Sequence, residues 1–277
     1  MAVWELRGKV ALITGASAGI GKALALDLAA RGMHLGLAAR GLAELEAVAA
    51  ECRGLGVRAV AIATDVTDAE QCKAFVERAA AELGGVDVLV NNAGIGMWAR
   101  FADVTDLSIY ERMMRLNYLG AVWTTHAALP YLTKSRGLIV AISSLTGKTG
   151  VPTRSGYAAS KHAMQGFFDS IRIELAEDGV DVSVISPGFV ATDIRKRGFA
   201  ADGKPVGESP RDEDKGTMSV ETCVALIADA IVKRRREVVM TARAKVGMWV
   251  KLVAPKVVDN IARRAVKGRD EALGRDK

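Results

Sequence analysis

Val10-Ala11-Leu12-Ile13-Thr14-Gly15-Ala16-Ser17-Ala18-Gly19-Ile20-Gly21 is the stretch that decides the fold. Its first five residues lack the polar alternation of a half-exposed strand, so they read as a strand buried on both faces. The strand runs directly into glycines and then an alanine-rich helical segment. Glycines at such a turn let the backbone approach a pyrophosphate, which then sits against the helix N-terminus. The spacing is GxxxGxG, not the GxGxxG of the general dinucleotide fingerprint, and Gly21-Lys22-Ala23 lacks the Ser or Thr of a magnesium-holding nucleotide loop. Glycine-rich turns also occur without ligands, but one placed at an N-terminal first strand favours a dinucleotide.

Outward from this turn the pattern repeats. Apolar runs at Val10–Thr14, Leu35–Ala39, Ala59–Thr64, Val86–Val90, Leu138–Ser143 and Val182–Ser186 alternate with helical spacing over Gly21–Arg31, Leu42–Leu55, Ala69–Leu83, Leu107–Leu129 and Tyr157–Ala176. Unbroken apolar strands joined by helices predict an α/β fold: a single doubly wound Rossmann-type domain whose central parallel sheet carries helices on both faces. That domain is expected over residues 1–242, with a charge-rich loop over about 188–218 of the length usual for a substrate lid. A basic, amphipathic extension over 243–277, divided by Pro255, is expected to form two short helices outside the sheet.

The chain has 277 residues, 50% of them hydrophobic and 25% charged, which excludes wholesale disorder. Cys52, Cys72 and Cys223 are far apart, arguing against a disulfide framework or zinc site. His34, His126 and His162 have no partners at metal-ligand spacing, so no metal is expected. Glu5, Arg7 and Lys9 interrupt any signal-peptide core, and the charge-free stretch Leu116–Thr133 carries Asn117, His126 and Pro130, as a buried helix would. A cytoplasmic location is expected. The net charge of +6 is uneven: 14 basic and 5 acidic residues lie from Lys233 onward, against 24 and 27 before it. Any membrane or nucleic-acid contact therefore rests on the tail.

The second predicted strand ends at Ala38-Ala39-Arg40. An NAD-selective site places an acidic residue here; a neutral residue followed by Arg suits the 2′-phosphate of NADP(H). A solvated Arg at a helix start is the plainer reading, Ala18 supplies no second basic group, and NAD(H) stays open as the alternative. Farther along stand Asn91-Asn92-Ala93-Gly94, Asn117, Ser143-Ser144 and Tyr157-Ala158-Ala159-Ser160-Lys161. Tyr157 and Lys161 lie four apart and share a helical face, where an ammonium stabilises a phenolate and suits Tyr for acid–base work; taken alone, the spacing is more simply that of a surface pair.

In this order, with Thr14–Gly21, Asp65-Val66 and Pro187-Gly188-Phe189-Val190-Ala191-Thr192, these residues resemble the short-chain dehydrogenase/reductase family in its common form of roughly 250 residues. The resemblance spans about Leu6 to Met240. It implies that Tyr157 is the general acid in carbonyl reduction, that Lys161 lowers its pKa and binds the nicotinamide ribose, and that Ser144 holds the substrate oxygen. Asn117 would bend its helix and hold a water joining Lys161 to solvent. Gly15, Ser17, Gly19, Ile20 and Gly21 would line the cofactor phosphates and ribose; Asp65, Val66, Asn92, Ala93 and Gly94 would surround adenine and its neighbourhood. Pro187, Gly188, Val190 and Thr192 would contact the nicotinamide. A homodimer or homotetramer is implied, paired through Leu107–Leu129 and Tyr157–Ala176.

Ile95, Met97, Trp98, Leu145, Val151, Pro152, Phe189, Ile194 and Phe199 fall where this family builds its substrate pocket, favouring a small apolar carbonyl or alcohol, with ordinary core packing of each residue as the alternative. Arg195-Lys196-Arg197 reads as a solvated loop, with an acidic carrier as the alternative. The tail is expected to pack within the protein, a membrane surface being the alternative and nucleic acid excluded. Two rival functions stay open: a non-catalytic NAD(P) sensor or scaffold, and a peripheral membrane enzyme acting on lipid-like substrates.

Overall fold

The computed structural model describes residues 4–192, 194–208 and 217–272. Its strands are β1 (Val10–Thr14), β2 (His34–Ala39), β3 (Ala59–Ala63), β4 (Val88–Asn91), β5 (Leu138–Ile142), β6 (Asp181–Ser186) and β7 (Glu237–Val239). They form one parallel sheet in the order β3-β2-β1-β4-β5-β6-β7. The doubly wound Rossmann-type fold follows from how each strand is buried. Alternate residues of β1 serve opposite layers: Ala11 and Ile13 pack with α1 (Gly19–Ala30), α2 (Leu42–Gly54) and α8 (Val220–Val232), through residues such as Leu24, Val48 and Ile227. Val10 and Leu12 pack with α3 (Ala69–Leu83), α5 (Gly120–Ser135) and α6 (Ser155–Glu174), through Phe75, Leu132 and Phe168. Each fully buried Leu, Ile or Phe contributes about 1.5–3 kcal/mol. Gly36 of β2 leaves little room for a side chain, because a Cβ there would overlap the Leu12 side chain and lie 2.9 Å from that of Ala79.

β1 lies between β2 and β4, registering Ile13 with both Leu37 and Val90. The chain reverses its direction of winding there, so a crevice opens beyond the carboxyl ends of β1 and β4. Thr14–Gly19 and Asn91–Gly94 fall at that crevice.

Four features depart from the sequence expectation. The Leu107–Leu129 helix is three pieces: α4 (Ser108–Met113), a π-helical turn over Met114–Leu119, and α5. Second, α5 runs past Pro130 to Ser135, with Pro130 on its exposed side and Ala128 and Leu132 anchoring the last turn in the core. Third, α8 and β7 extend the sheet region; β7 is only three residues long and follows Lys233-Arg234-Arg235-Arg236, which masks it as a strand. Fourth, Arg195 is not solvated. It is 4% exposed within the short α7 (Ile194–Arg197), and its Nη2 donates to the Val190 carbonyl at 3.0 Å, clamping the loop onto its own base.

That loop is tied to the segment after β4: Phe199 donates to the Gly96 carbonyl and Trp98 to the Phe199 carbonyl, both at 2.9 Å. Arg211, Asp212, Glu213, Asp214 and Lys215 lie outside the described residues. Beyond β7 come α9 (Ala242–Val253) and α10 (Pro255–Ala272). Among the described residues no helix is long and apolar enough to cross a membrane, and no three His, Cys, Asp or Glu gather as metal ligands.

Candidate active site

The glycine turn is shaped by backbone contacts. Gly15 (φ +66°) and Gly19 (φ +56°) occupy the left-handed region, and a Cβ at Gly15 would lie 2.9 Å from the Ala93 Cα. A Cβ at Gly21 would fall on the Gly15 carbonyl oxygen. The turn is locked to the end of β4 by Asn92, whose Nδ2 donates to the Thr14 carbonyl at 2.9 Å and the Gly15 carbonyl at 3.1 Å. The Thr14 hydroxyl in turn accepts the amides of Asn92 and Ala93. Asn92 and Ala93 therefore build the turn itself.

No side chain caps α1: Ala18 stands at its N-cap position, and Ser17, Gly19 and Ile20 are partly exposed along the crevice. Uncapped amides at a helix start attract a phosphate. Thr192 lies against Gly19 from the β6 side, 3.4 Å from where a Cβ would stand. Pro187 and Gly188 follow β6, and the Pro187 carbonyl accepts the Leu145 amide at 3.0 Å. Val190 is buried. Arg40 is exposed at the end of β2 and makes no ion pair with a described residue. Asp65 turns one carboxylate oxygen to the Thr67 amide and hydroxyl, beside buried Val66. Val66 is pressed by Gly120 at the start of α5, where a Cβ would meet its carbonyl at 2.7 Å. The residues present thus fit a dinucleotide: a backbone-lined turn at a helix start, a cation near the second strand and an apolar wall.

Deeper in the crevice the catalytic candidates converge. Ser144 follows β5 in extended conformation; its Oγ accepts the Thr146 amide at 3.2 Å, and the hydroxyl favours ionisation of the Tyr157 phenol. Neighbouring Ser143 is buried, turned away beneath Gly147. Asn117 is fully buried in the π-helical turn. Its Oδ1 accepts the Ile95 amide at 2.8 Å, while its Nδ2 donates to the Ile95 carbonyl at 3.0 Å and the Ser160 hydroxyl at 2.9 Å. Those three bonds tie the segment after β4 to α6.

Lys161 is 3% exposed, and its Nζ donates to the Ile142 carbonyl at 2.8 Å. Burial lowers its pKa to about 7. Burial pushes the Tyr157 phenol above its ordinary value, opposed by the Arg154 guanidinium and the Ser144 hydrogen bond. The cation that favours the phenolate here is Arg154; the Lys161 Nζ stands 5.9 Å from the phenol ring centroid and donates to the Ile142 carbonyl.

Arg154 is a candidate site residue that sequence reasoning misses. It lies three residues before Tyr157, with its guanidinium 3.7 Å from the Trp98 ring centroid and 5.1 Å from that of Tyr157. Its Nη1 donates to the Met97 carbonyl at 3.1 Å. The only signal in the chain is a lone cation between Val151 and Ser160, one helical turn from the tyrosine. Removing it leaves the phenol harder to ionise. Arg154→Met should lower alcohol oxidation about ten-fold near neutral pH, by loss of one charge interaction at about 5 Å, and move the oxidation pH profile upward. Arg154→Lys should recover part of that loss; unchanged profiles in both variants would refute the assignment.

Of the predicted pocket lining, Met97 is instead core, packed with Ile109 and Met113, whereas Ile95, Tyr157 and Phe199 are partly exposed around that cluster.

A parallel sheet with a backbone-lined phosphate turn at its switch point, and Ser, Tyr and Lys gathered beyond β5, defines a nicotinamide-dependent oxidoreductase. A family profile described as short chain dehydrogenase matches residues 9–202, and the chain belongs to the short-chain dehydrogenase/reductase family. It is 36% identical over 264 residues to 11-beta-hydroxysteroid dehydrogenase A of Sesamum indicum, covering 94% of this chain and 76% of that one. It is 35% identical to dehydrogenase/reductase SDR family member 7B of Rattus norvegicus, covering 95% and 83%. Among solved structures, an alcohol dehydrogenase from Thermococcus sibiricus complexed with 5-hydroxy-NADP is 31% identical with a TM-score of 0.70, over 79% of this chain and 88% of that one. A short-chain dehydrogenase/reductase from Burkholderia phymatum in complex with NAD shares the fold with a TM-score of 0.81, at 24% identity, over 92% and 96%.

Proposed function

We propose that the protein is an NADP(H)-dependent oxidoreductase that interconverts an apolar ketone or aldehyde and its alcohol. The observation that carries this reading is the convergence of Ser144, Tyr157 and Lys161 beside the glycine turn, with Asn117 bridging the segments that hold them. Bound along that turn, the nicotinamide cofactor supplies hydride to the carbonyl carbon or accepts it back. Tyr157 delivers its phenolic proton to the developing alkoxide, so charge does not build up on an unshielded oxygen. Ser144, beside the phenol, donates to the same oxygen and fixes the substrate's orientation. Lys161 holds the ribose and passes protons to the phenol. The side chain of Asn117 is committed to Ile95 and Ser160, so its part is to hold the π-helical turn and keep Lys161 and the β4 segment in register. Gly15, Ser17, Gly19, Ile20 and Gly21 hold the phosphates; Asp65 and Val66 flank adenine, near Asn92, Ala93 and Gly94; Pro187, Gly188, Val190 and Thr192 line the nicotinamide.

The preference for NADP(H) rests on Arg40, exposed after a strand that ends in the neutral Ala38 and Ala39. Arg40→Ala should weaken NADPH binding by about 1.5–3 kcal/mol, the contribution of charge-assisted hydrogen bonds, and leave NADH nearly unchanged. Fluorescence titration with both cofactors measures this, and an equal loss for both would count against a 2′-phosphate grip. The apolar substrate class rests on Ile95, Leu145, Phe189 and Phe199 around the mouth. Following nicotinamide absorbance with NADPH and a panel of apolar ketones, aldehydes and 3-oxoacyl thioesters tests the whole reading. Turnover with one class supports it. Bound NADPH with no turnover across the panel would favour a sensing role.

A further inference from the structure

Six of the twelve large apolar side chains exposed among the described residues belong to the last two helices: Val246, Trp249, Leu252, Val253, Val257 and Ile261. Trp249, Leu252 and Val253 are 74%, 75% and 85% exposed. Lone apolar residues on a surface need no explanation, but a clustered apolar face marks a surface that meets something. The fold does not cover it: α10 packs against α9, and α9 rests on β7. Interleaved with the apolar residues are Lys245, Lys251, Lys256, Arg263 and Arg264, all exposed, while Asp259 is the one acidic residue between Ala242 and Arg264.

That charge selects the occupant. Two copies of this face set against each other would bring like cations together at a low-dielectric contact, which costs several kcal/mol and disfavours a symmetric pair. An anionic bilayer satisfies both halves of the pattern. Trp, Leu and Val enter the headgroup–acyl boundary, and each Lys or Arg near the lipid phosphates adds roughly 1 kcal/mol. We propose that α9 and α10 form a docking surface for an anionic lipid bilayer, with Trp249, Leu252 and Val253 as the inserted residues.

The surface adjoins the substrate side of the crevice. Thr241, which caps α9, places its Cγ2 3.6 Å from where a Cβ at Gly188 would stand. The Lys251 Nζ donates to the Lys148 carbonyl, in the segment between Ser144 and Tyr157, at 2.8 Å. Lys148 is itself ion-paired with Glu237 of β7. Docking would therefore hold the mouth of the site close to the lipid. The docking itself stands independently of which substrate is turned over.

Co-sedimentation of the full chain with vesicles tests the proposal, using phosphatidylcholine alone and phosphatidylcholine mixed with phosphatidylglycerol, at low and high salt. The full chain should bind the anionic vesicles, lose affinity with salt and leave neutral vesicles largely free. Combined Trp249→Ser, Leu252→Ser and Val253→Ser should weaken binding at least about ten-fold, as should combined Lys256→Glu, Arg263→Glu and Arg264→Glu. Unchanged melting temperatures show that folding persists, and either variant alone carries the test. Absence of binding to both vesicle types would overturn the proposal. So would unchanged binding by the folded variants, or an oligomer that the serine variant dissociates without any change in vesicle affinity.

Discussion

Tyr157→Phe should lower turnover by roughly 10²–10⁴-fold in both directions while leaving cofactor affinity and stability nearly unchanged. The ring stays: it packs against the cluster of Met97, Ile109 and Met113, and the Arg154 guanidinium lies over it. What leaves is the hydroxyl, whose ionisation Ser144 and Arg154 favour. Phenylalanine has no proton to give, so the alkoxide formed as hydride arrives is left with the Ser144 hydroxyl alone. Steady-state nicotinamide absorbance, with a fluorescence titration of NADPH alongside, separates chemistry from binding. A variant that keeps a tenth or more of the activity would remove Tyr157 from proton transfer. The sign of the pH dependence follows from the same group. Its raised pKa keeps the phenol protonated at neutral pH, the form that reduction requires. Alcohol oxidation needs the phenolate, so it should rise with pH while reduction falls.

Lys161→Met should abolish most activity and yet stabilise the ligand-free protein at neutral pH. The ammonium of Lys161 is buried with a pKa of about 7, against 10.5 for an ordinary lysine. Between those values the unfolded chain binds a proton that the folded chain releases, so stability rises with pH across that window, by about 1.4 kcal/mol per pH unit. Below about pH 7 the penalty for burying the charge is present in full; above pH 10.5 it has gone. Methionine carries no such penalty but leaves the Ile142 carbonyl without its donor, which offsets part of the gain. A net gain of about 2–4 kcal/mol at pH 7 is expected, narrowing toward pH 10. Urea unfolding without cofactor at both pH values measures it. A less stable variant at pH 7 would mean that the ammonium is well compensated in the fold. The outcome bears on function, because a residue that costs stability and stays in place is one kept for its chemistry.

Much of the site is legible in the order of residues. Gly15, Gly19, Gly21, Ser144, Tyr157 and Lys161 sit in short contiguous motifs, and their roles depend on local geometry: a turn, a strand end, two positions one helical turn apart. Arg154 escapes because its meaning is set by Trp98, distant in the chain, whose ring holds the guanidinium over Tyr157. Arg195 escapes for the same reason. In a run of three cations it reads as solvated, and only the path of the loop turns it onto the Val190 carbonyl. Met97 looks like a pocket residue because it follows the glycine of the β4 motif, yet the chain bends it into a small core with Ile109 and Met113.

The parallel sheet follows from the order of residues, since unbroken apolar strands and amphipathic helices of the right lengths have few other ways to bury both strand faces. The family and the catalytic candidates follow on the same local grounds. The π-helical turn around Asn117 belongs to the folded molecule, because it forms where Ile95 and Ser160 claim that side chain from two different segments. So do the placement of the Arg154 guanidinium beside the phenol and the outward facing of the apolar residues of α9 and α10. Each of these depends on distances between parts of the chain far apart in order, and a charge or apolar face acquires its partner only when the fold sets that distance.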